Sequence, residues 1–328
     1  MKAYLVDNDQ SSGVRFTEVS DPIPAPNEAV IEVEAFSLNH GELPGAGVFA
    51  NGTVPGWDTA GRVLTAAADR SGPSTGTRVV GGEWGGAWAQ RRAVATTNLA
   101  RLPEGVDAEA ASTLPVAGIT ALRAVRTLGA IVGRRVLVTG ASGGVGRFAV
   151  QLARIAGADV VALTSSEAKR DELREAGASE VVTDLAHLSA PVYAVLEYIG
   201  GSTLVDAWNR LIPGGILVSI GGVMGSSATF PPFATALPRK SLVGMGSGWT
   251  PLLPDETIGA DLAYLARLVA ARALDPHITW RGPWKQLPDA ITLLQNRKIS
   301  GKAVLRVEPP AAFVTPAGYS STKNEHSD

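Results

Sequence analysis

From residue 135 to residue 156 the chain reads RVLVTGASGGVGRFAVQLARIA, an apolar run that breaks into glycines and restarts at helical spacing. Val136, Leu137 and Val138 suit a strand buried on both faces. Gly140, Gly143, Gly144 and Gly146 let the backbone turn tightly and approach a ligand with no Cβ in the way. Val145, Phe148, Ala149, Leu152, Ala153 and Ala156 then recur as one face of an amphipathic helix. Such a bend leaves N–H groups unpaired at a helix start, where the dipole also favours negative charge, so a pyrophosphate fits there. Read as Ala141, Gly143 and Gly146, the pattern is a dinucleotide-binding fingerprint with alanine at the first glycine position.

The rest of the chain is read by its place relative to that bend. Strand-like runs at residues 2–6, 29–38, 60–65, 78–80 and 88–95 are separated by Gly, Pro, Asn and Asp clusters and predict a β-rich opening part. Residues 107–128 turn alanine-rich and helical, interrupted at Pro115. From residue 135 strands at 136–139, 160–164, 180–183, 193–198, 215–220 and 241–246 alternate with helices near 145–156, 167–176 and 203–212. That rhythm predicts an α/β fold with a doubly wound parallel sheet. A helix near 257–273, a strand-like HITW, a helix near 288–295 and a strand at 302–307 follow, and the last pieces resemble the opening part more than the sheet. The expected division is therefore 1–119 with 274–308 as one discontinuous domain, 120–273 as a Rossmann domain, and a mobile polar tail over 309–328.

The 328 residues carry a formal charge of −2, which gives no footprint for a nucleic acid or a membrane surface. The chain has no cysteine, so thiolate metal sites, disulfides and cysteine nucleophiles are excluded. The histidines His40, His187, His277 and His326 show no paired ligand spacing, and no metal is expected. With no apolar run of membrane-spanning length and no signal-peptide core, a cytoplasmic protein is expected.

Six stretches in order carry a family resemblance: SLNHGE (37–42), VPGWDTAGRV (54–63), LPVAGITALRAV (114–125), VLVTGASGGVGRFAVQLA (136–153), LIPGGILVSIGG (211–222) and GKAVLRV (301–307). Together they resemble the medium-chain dehydrogenase/reductase superfamily, in its zinc-free quinone oxidoreductase and enoyl reductase branch. The resemblance implies a chaperonin-10-like β-rich catalytic domain beside a Rossmann domain, with the active site between them. Ser37 to Asn39, and Trp57 with Asp58, stand where zinc-dependent relatives hold their metal, so a structural job is expected for Asp58. The loop before the PG motif carries Phe49 in place of the tyrosine of many quinone oxidoreductases.

NADP(H) is the expected cofactor. An NAD site places an acidic residue about 20 residues beyond the glycines. This chain has Thr164, Ser165 and Ser166 there, with Lys169 and Arg170 a turn later, which suits an additional phosphate. The cofactor-binding candidates are Thr120, Gly140, Ser142, Gly143, Gly144, Val145, Gly146, Ser165, Ser166, Lys169 and Arg170, of which Thr120 rests on the resemblance.

Hydride addition to a conjugated carbonyl leaves an enolate that needs donors near its oxygen and a proton for its α-carbon. Asn39, by resemblance, is the candidate carbonyl donor, while His40 and Tyr198 are candidate proton donors. Phe49, Trp84, Trp88 and Trp249 suggest a wide aromatic-lined pocket for a bulky apolar substrate. The expected activity is NADPH-dependent, zinc-independent reduction of a conjugated C=C in an enone, quinone or polyene of specialised metabolism. A carbonyl/alcohol oxidoreductase, another Rossmann class such as a methyltransferase, and a non-catalytic NADPH-binding protein are the alternatives. The apolar run at 241–246 sits at an expected sheet edge and predicts a homodimer.

Overall fold

The computed structural model describes residues 1–222, 225–231, 234, 239–246 and 257–308. Trp249 and the expected tail lie outside the described residues. The chain opens with an antiparallel ribbon of β1 (Lys2–Val6) and β2 (Val14–Glu18). Five strands follow: β3 (Glu28–Ser37), β4 (Asp58–Thr65), β5 (Arg78–Gly82), β6 (Arg91–Ala95) and β7 (Leu99–Arg101). Next come α1 (Ala108–Ser112), a π-helical turn at Leu114–Gly118 and α2 (Ile119–Thr127). The alternating part consists of β8 (Arg135–Val138), α3 (Gly144–Ile155), β9 (Asp159–Leu163), α4 (Arg170–Glu175), β10 (Glu180–Val182), β11 (Val192–Glu197), α5 (Gly201–Asn209), β12 (Leu211–Ser219) and β13 (Ser241–Gly244). After it run α6 (Ile258–Ala270), β14 (Ile278–Pro283), α7 (Leu287–Gln295) and β15 (Lys302–Arg306).

Among the described residues six strands form one parallel sheet in the order β10-β9-β8-β11-β12-β13. This is the doubly wound, Rossmann-type order, and its direction reverses between β8 and β11, where a crevice forms outside the carboxyl ends of the strands. Val136, Leu137 and Val138 of β8 are fully buried, as strands covered on both faces require.

The second sheet is β-rich and runs β14-β15-β3-β4-β5-β7, with β6 pairing to β3. The chain thus returns after the parallel sheet, and β15 pairs antiparallel with β3. Between the sheets, α6 packs Leu262 and Leu265 into the main core, each contributing about 1.5 to 3 kcal/mol of burial. Its Asp261 reaches the Arg123 guanidinium of α2 at 2.7 Å, both side chains buried.

Three departures from the sequence reading have local causes. β2 and β7 are short, and β2 buries only Val14 fully, so neither shows alternation over a useful length. The strand expected from residue 88 begins at Arg91, because Trp88 belongs to the loop that packs under β3. Pro115, read as an interruption, is absorbed in the π-helical turn, and the Asp58 carboxylate accepts the Val116 N–H at 3.0 Å.

Candidate active site

At the bend after β8, Gly140 has φ +57°, a left-handed conformation open to glycine. Gly146 is fixed by space instead, since a Cβ there would lie 2.2 Å from the Gly140 carbonyl oxygen. No side chain caps α3, and the N–H groups of Gly144, Val145 and Gly146 have no hydrogen-bond partner among the described residues. Ser142 ties the bend to its surroundings: its Oγ lies 3.2 Å from Thr164 Oγ1 and its carbonyl accepts from Ser300 Oγ at 3.2 Å. The residues of this cradle fit a nicotinamide dinucleotide, whose pyrophosphate the free amides of residues 144–146 would hold.

Beyond β9, Ser165 is exposed and Ser166 half-buried. Lys169 reaches Glu172 at 3.1 Å, and Arg170 reaches Glu167 at 2.6 Å and the Val181 carbonyl at 2.6 Å. Both cations are thus held in ion pairs that would have to open to reach a phosphate. A cavity of about 470 Å³ opens at the carboxyl ends of β9 and β10, lined by Leu163, Thr183, Asp184, Thr203, Asp206 and Arg210 among others. Its two carboxylates were not read from the sequence, because Asp184 and Asp206 are separated by a strand and a helix. Thr120 is buried in the first turn of α2.

A second group of residues meets where β3 ends, β4 begins and β15 passes. Lys302, only 2% exposed, donates from Nζ to the Leu38 carbonyl at 3.0 Å and to Asn39 Oδ1 at 2.6 Å, and lies 3.4 Å from Asp58 Oδ2. Asp58 Oδ2 also accepts from Ser37 Oγ at 2.5 Å and Asn39 Nδ2 at 2.8 Å. Glu42 accepts the backbone N–H groups of Asn39 at 2.7 Å and Trp57 at 2.8 Å, and Asn39 Nδ2 at 3.3 Å. Burial and then the Asp58 carboxylate push the Glu42 carboxyl up from its ordinary value, to about 8. Lys302 joins this network to the bend, since its Cδ lies 3.0 Å from where a Gly144 Cβ would be. Sequence reading missed Lys302 and Glu42, whose partners lie 264 and 15 residues away along the chain.

These contacts correct several expectations. The Asn39 amide is engaged at both ends, so it positions Asp58 and Lys302 and has no donor left for a substrate carbonyl. Tyr198 is buried beside the bend in the main core, its hydroxyl without a partner among the described residues. Burial, then Glu197, pushes that phenol above its ordinary range, which makes it a poor proton donor. The neighbouring Glu197 instead organises the strand end, accepting from the N–H groups of Ile199 at 2.8 Å and Gly200 at 3.0 Å. Trp88 is fully buried and stacks on Phe36 with centroids 6.2 Å apart, so it belongs to the core.

Phe49 and Trp84 do come together, with Trp57 as the third member. Ring centroids lie 6.0 Å apart for Phe49 and Trp57, 6.1 Å for Phe49 and Trp84, and 5.2 Å for Trp57 and Trp84. Trp84 is 59% exposed while Trp57 is nearly buried, so the cluster presents one open indole face. A Cβ on Gly41 would lie 2.9 Å from the Trp57 ring, which places the cluster against the turn carrying His40 and Glu42. His40 itself is exposed; partial desolvation and then the Lys302 charge hold its imidazole below the ordinary value.

Residues 144–257 match the family model described as zinc-binding dehydrogenase. A probable zinc-binding oxidoreductase, mitochondrial, of Arthroderma benhamiae is 33% identical over 87% of this chain and 91% of its own length. The acrylyl-CoA reductase AcuI of Ruegeria pomeroyi is 32% identical over 76% of this chain and 83% of its length. The solved quinone oxidoreductase of Thermus thermophilus, whose complex with NADPH is also known, superposes with a TM-score of 0.77 at 28% identity, covering 93% of this chain and all of that one. The fold and the dinucleotide cradle define a Rossmann-type oxidoreductase. The chain belongs to the medium-chain dehydrogenase/reductase superfamily, in its zinc-free quinone oxidoreductase and enoyl reductase-like branch.

The zinc implied by the matched description does not fit these residues. The chain has no cysteine, Ser37 Oγ is bound to Asp58 and Trp57 offers an indole. Among the described residues no group of three or more His, Cys, Asp or Glu side chains could hold a metal ion. No helix among them is long and apolar enough to cross a membrane.

Proposed function

We propose that this protein is an NADP(H)-dependent, zinc-independent reductase of a conjugated C=C in a bulky, flat substrate. The observation that carries the reading is the uncapped start of α3, lined by glycines and joined through Lys302 to a buried polar corner beside an open indole. When bound, the cofactor supplies a hydride to the β-carbon. The chain's own residues orient the dinucleotide at the bend and stack the substrate's ring system on Trp84 and Phe49. His40, on the rim of the corner, passes a proton from solvent to the α-carbon. The name of the Ruegeria relative, a reductase of an acrylyl thioester, supports a conjugated acceptor.

NADP(H) over NAD(H) rests on Thr164 at the end of β9, where an NAD site carries an acid, and on the hydroxyls and cations of residues 165–170. The pairing of Lys169 with Glu172, and the Asp184 and Asp206 carboxylates of the neighbouring cavity, favour NAD(H) as the second reading. Fluorescence titration decides between them: tighter binding of NADPH is expected, and a dissociation constant tenfold lower for NADH overturns the assignment. Product analysis with enones and quinones should show loss of the C=C. A product that keeps the C=C and loses the C=O makes the protein a carbonyl reductase, and tight cofactor binding with no turnover on any acceptor makes it a binding protein.

The exposed Leu242 on β13, at the end of the parallel sheet among the described residues, supports a homodimer through that edge. A monomer mass in light scattering would remove it. A cytoplasmic location completes the proposal.

A further inference from the structure

Along α3, from its first turn onward, lies a cavity of about 250 Å³, the space of roughly eight liquid waters. It is lined by Arg147, Gln151, Arg154, Glu175, Arg272 and Asp275 among others. Arg147 is only 7% exposed, yet its guanidinium makes no hydrogen bond among the described residues. Nε has no partner, and the nearest carboxylate oxygen, on Glu172, stands 3.8 Å from Nη1. With no carboxylate oxygen closer than 3.8 Å, this buried guanidinium is incompletely paired, and its planar fork matches a carboxylate or a phosphate.

The lining mixes both signs, with Arg147, Arg154 and Arg272 set against Glu175 and Asp275, and with Glu172 beside Arg147. Arg154 and Arg272 are exposed and form no ion pair within 4 Å among the described residues. Of the three nearby acids, Asp275 is engaged through Oδ1, which accepts the His277 N–H at 3.0 Å, and Glu172 pairs with Lys169 at 3.1 Å. Gln151 clamps the floor, donating to the Asp275 carbonyl at 2.9 Å and accepting the Asp275 N–H at 2.7 Å. Arg147 follows directly on Gly146 in the first turn of α3, whereas Arg154, at about 1.5 Å of rise per residue, lies about 15 Å along the helix from Gly144.

We propose that this cavity is a second oxyanion site, which takes the carboxylate or phosphate of a small metabolite on the Arg147 fork with Arg154 and Arg272 closing over it. It is independent of the dinucleotide and of the choice between NADP(H) and NAD(H).

Calorimetric titration of the full-length protein with inorganic phosphate, and separately with citrate, at ionic strength held constant with sodium chloride, tests the site. Saturable binding of at least one probe is expected, and which of the two binds more tightly identifies the oxyanion. Arg147→Gln should weaken it at least tenfold, Arg154→Gln with Arg272→Gln several-fold, and the exposed Lys285→Gln not at all. Binding should persist at saturating NADPH. Absence of saturable binding for both probes, competition with NADPH, or unchanged affinity in the Arg154→Gln/Arg272→Gln variant overturns the proposal. The last two readouts need no buried substitution, so they decide the matter even if Arg147→Gln fails to fold.

Discussion

Lys302 Nζ lies 2.6 Å from Asn39 Oδ1, and this contact sets which way the Asn39 amide faces. With its oxygen taken by the ammonium, the amide nitrogen is turned to Asp58 and Glu42. Near neutral pH the buried ammonium therefore stands against the Asp58 carboxylate, with Glu42 protonated beside it. Replacing that lysine as Lys302→Met should destabilise the protein by about 3 to 5 kcal/mol, because the buried Asp58 carboxylate is left uncompensated. Lys302→Met combined with Asp58→Asn should cost less than Lys302→Met alone. Urea denaturation of the single and double variants measures both, and an additive pair would remove the coupling.

Gly146→Ala forces a Cβ to 2.2 Å from the Gly140 carbonyl oxygen. The neighbour is backbone, so the bend has to open. Cofactor affinity is expected to fall at least tenfold, about 1.4 kcal/mol or more. Gly143→Ala, whose Cβ meets that same oxygen at 3.3 Å, should have a smaller effect.

Stability should fall as pH rises, through Glu42. Its carboxyl is raised in the folded protein from about 4.5 to about 8, so between those values the folded state holds a proton that the unfolded state has released. The contribution is complete below the unfolded value and is lost as pH passes the folded one. In Glu42→Gln the urea midpoint should vary less with pH over this window. An unchanged slope would mean that Glu42 is ionised throughout.

Trp84→Ala and Trp88→Ala should separate cleanly. Trp84 is mostly exposed, so its loss should leave stability within about 0.5 kcal/mol while raising KM for bulky flat substrates about five- to tenfold. Trp88 fills the space over Gly56 and Phe36, and its loss should cost about 3 to 5 kcal/mol. Thermal unfolding and steady-state kinetics on both variants check this.

What could be read ahead of the structure follows from how local each cause is. The bend was legible because Gly140 and Gly146 are demanded by a backbone angle and by a contact within six residues. The parallel strands were legible because burial on both faces makes them continuously apolar. The polar corner was not, since Ser37, Asn39, Glu42, Asp58 and Lys302 come from three strands and one turn, and the pairings of β3 with β4 and with β15 bring them together. Trp88 misled for a related reason. A tryptophan in a glycine-rich loop looks exposed, yet Gly56 leaves room for its ring to pack inward.

The pairing of β3 with β15 has a consequence for how the protein is made. β3 leaves the ribosome early but waits for a partner some 260 residues later, by which time every strand of the parallel sheet has been synthesised. During that interval the Asp58 and Glu42 carboxylates have no ammonium to meet and remain hydrated. A nascent chain halted before Lys302 should therefore leave both the corner without its cation and the Gly144 side of the bend uncovered.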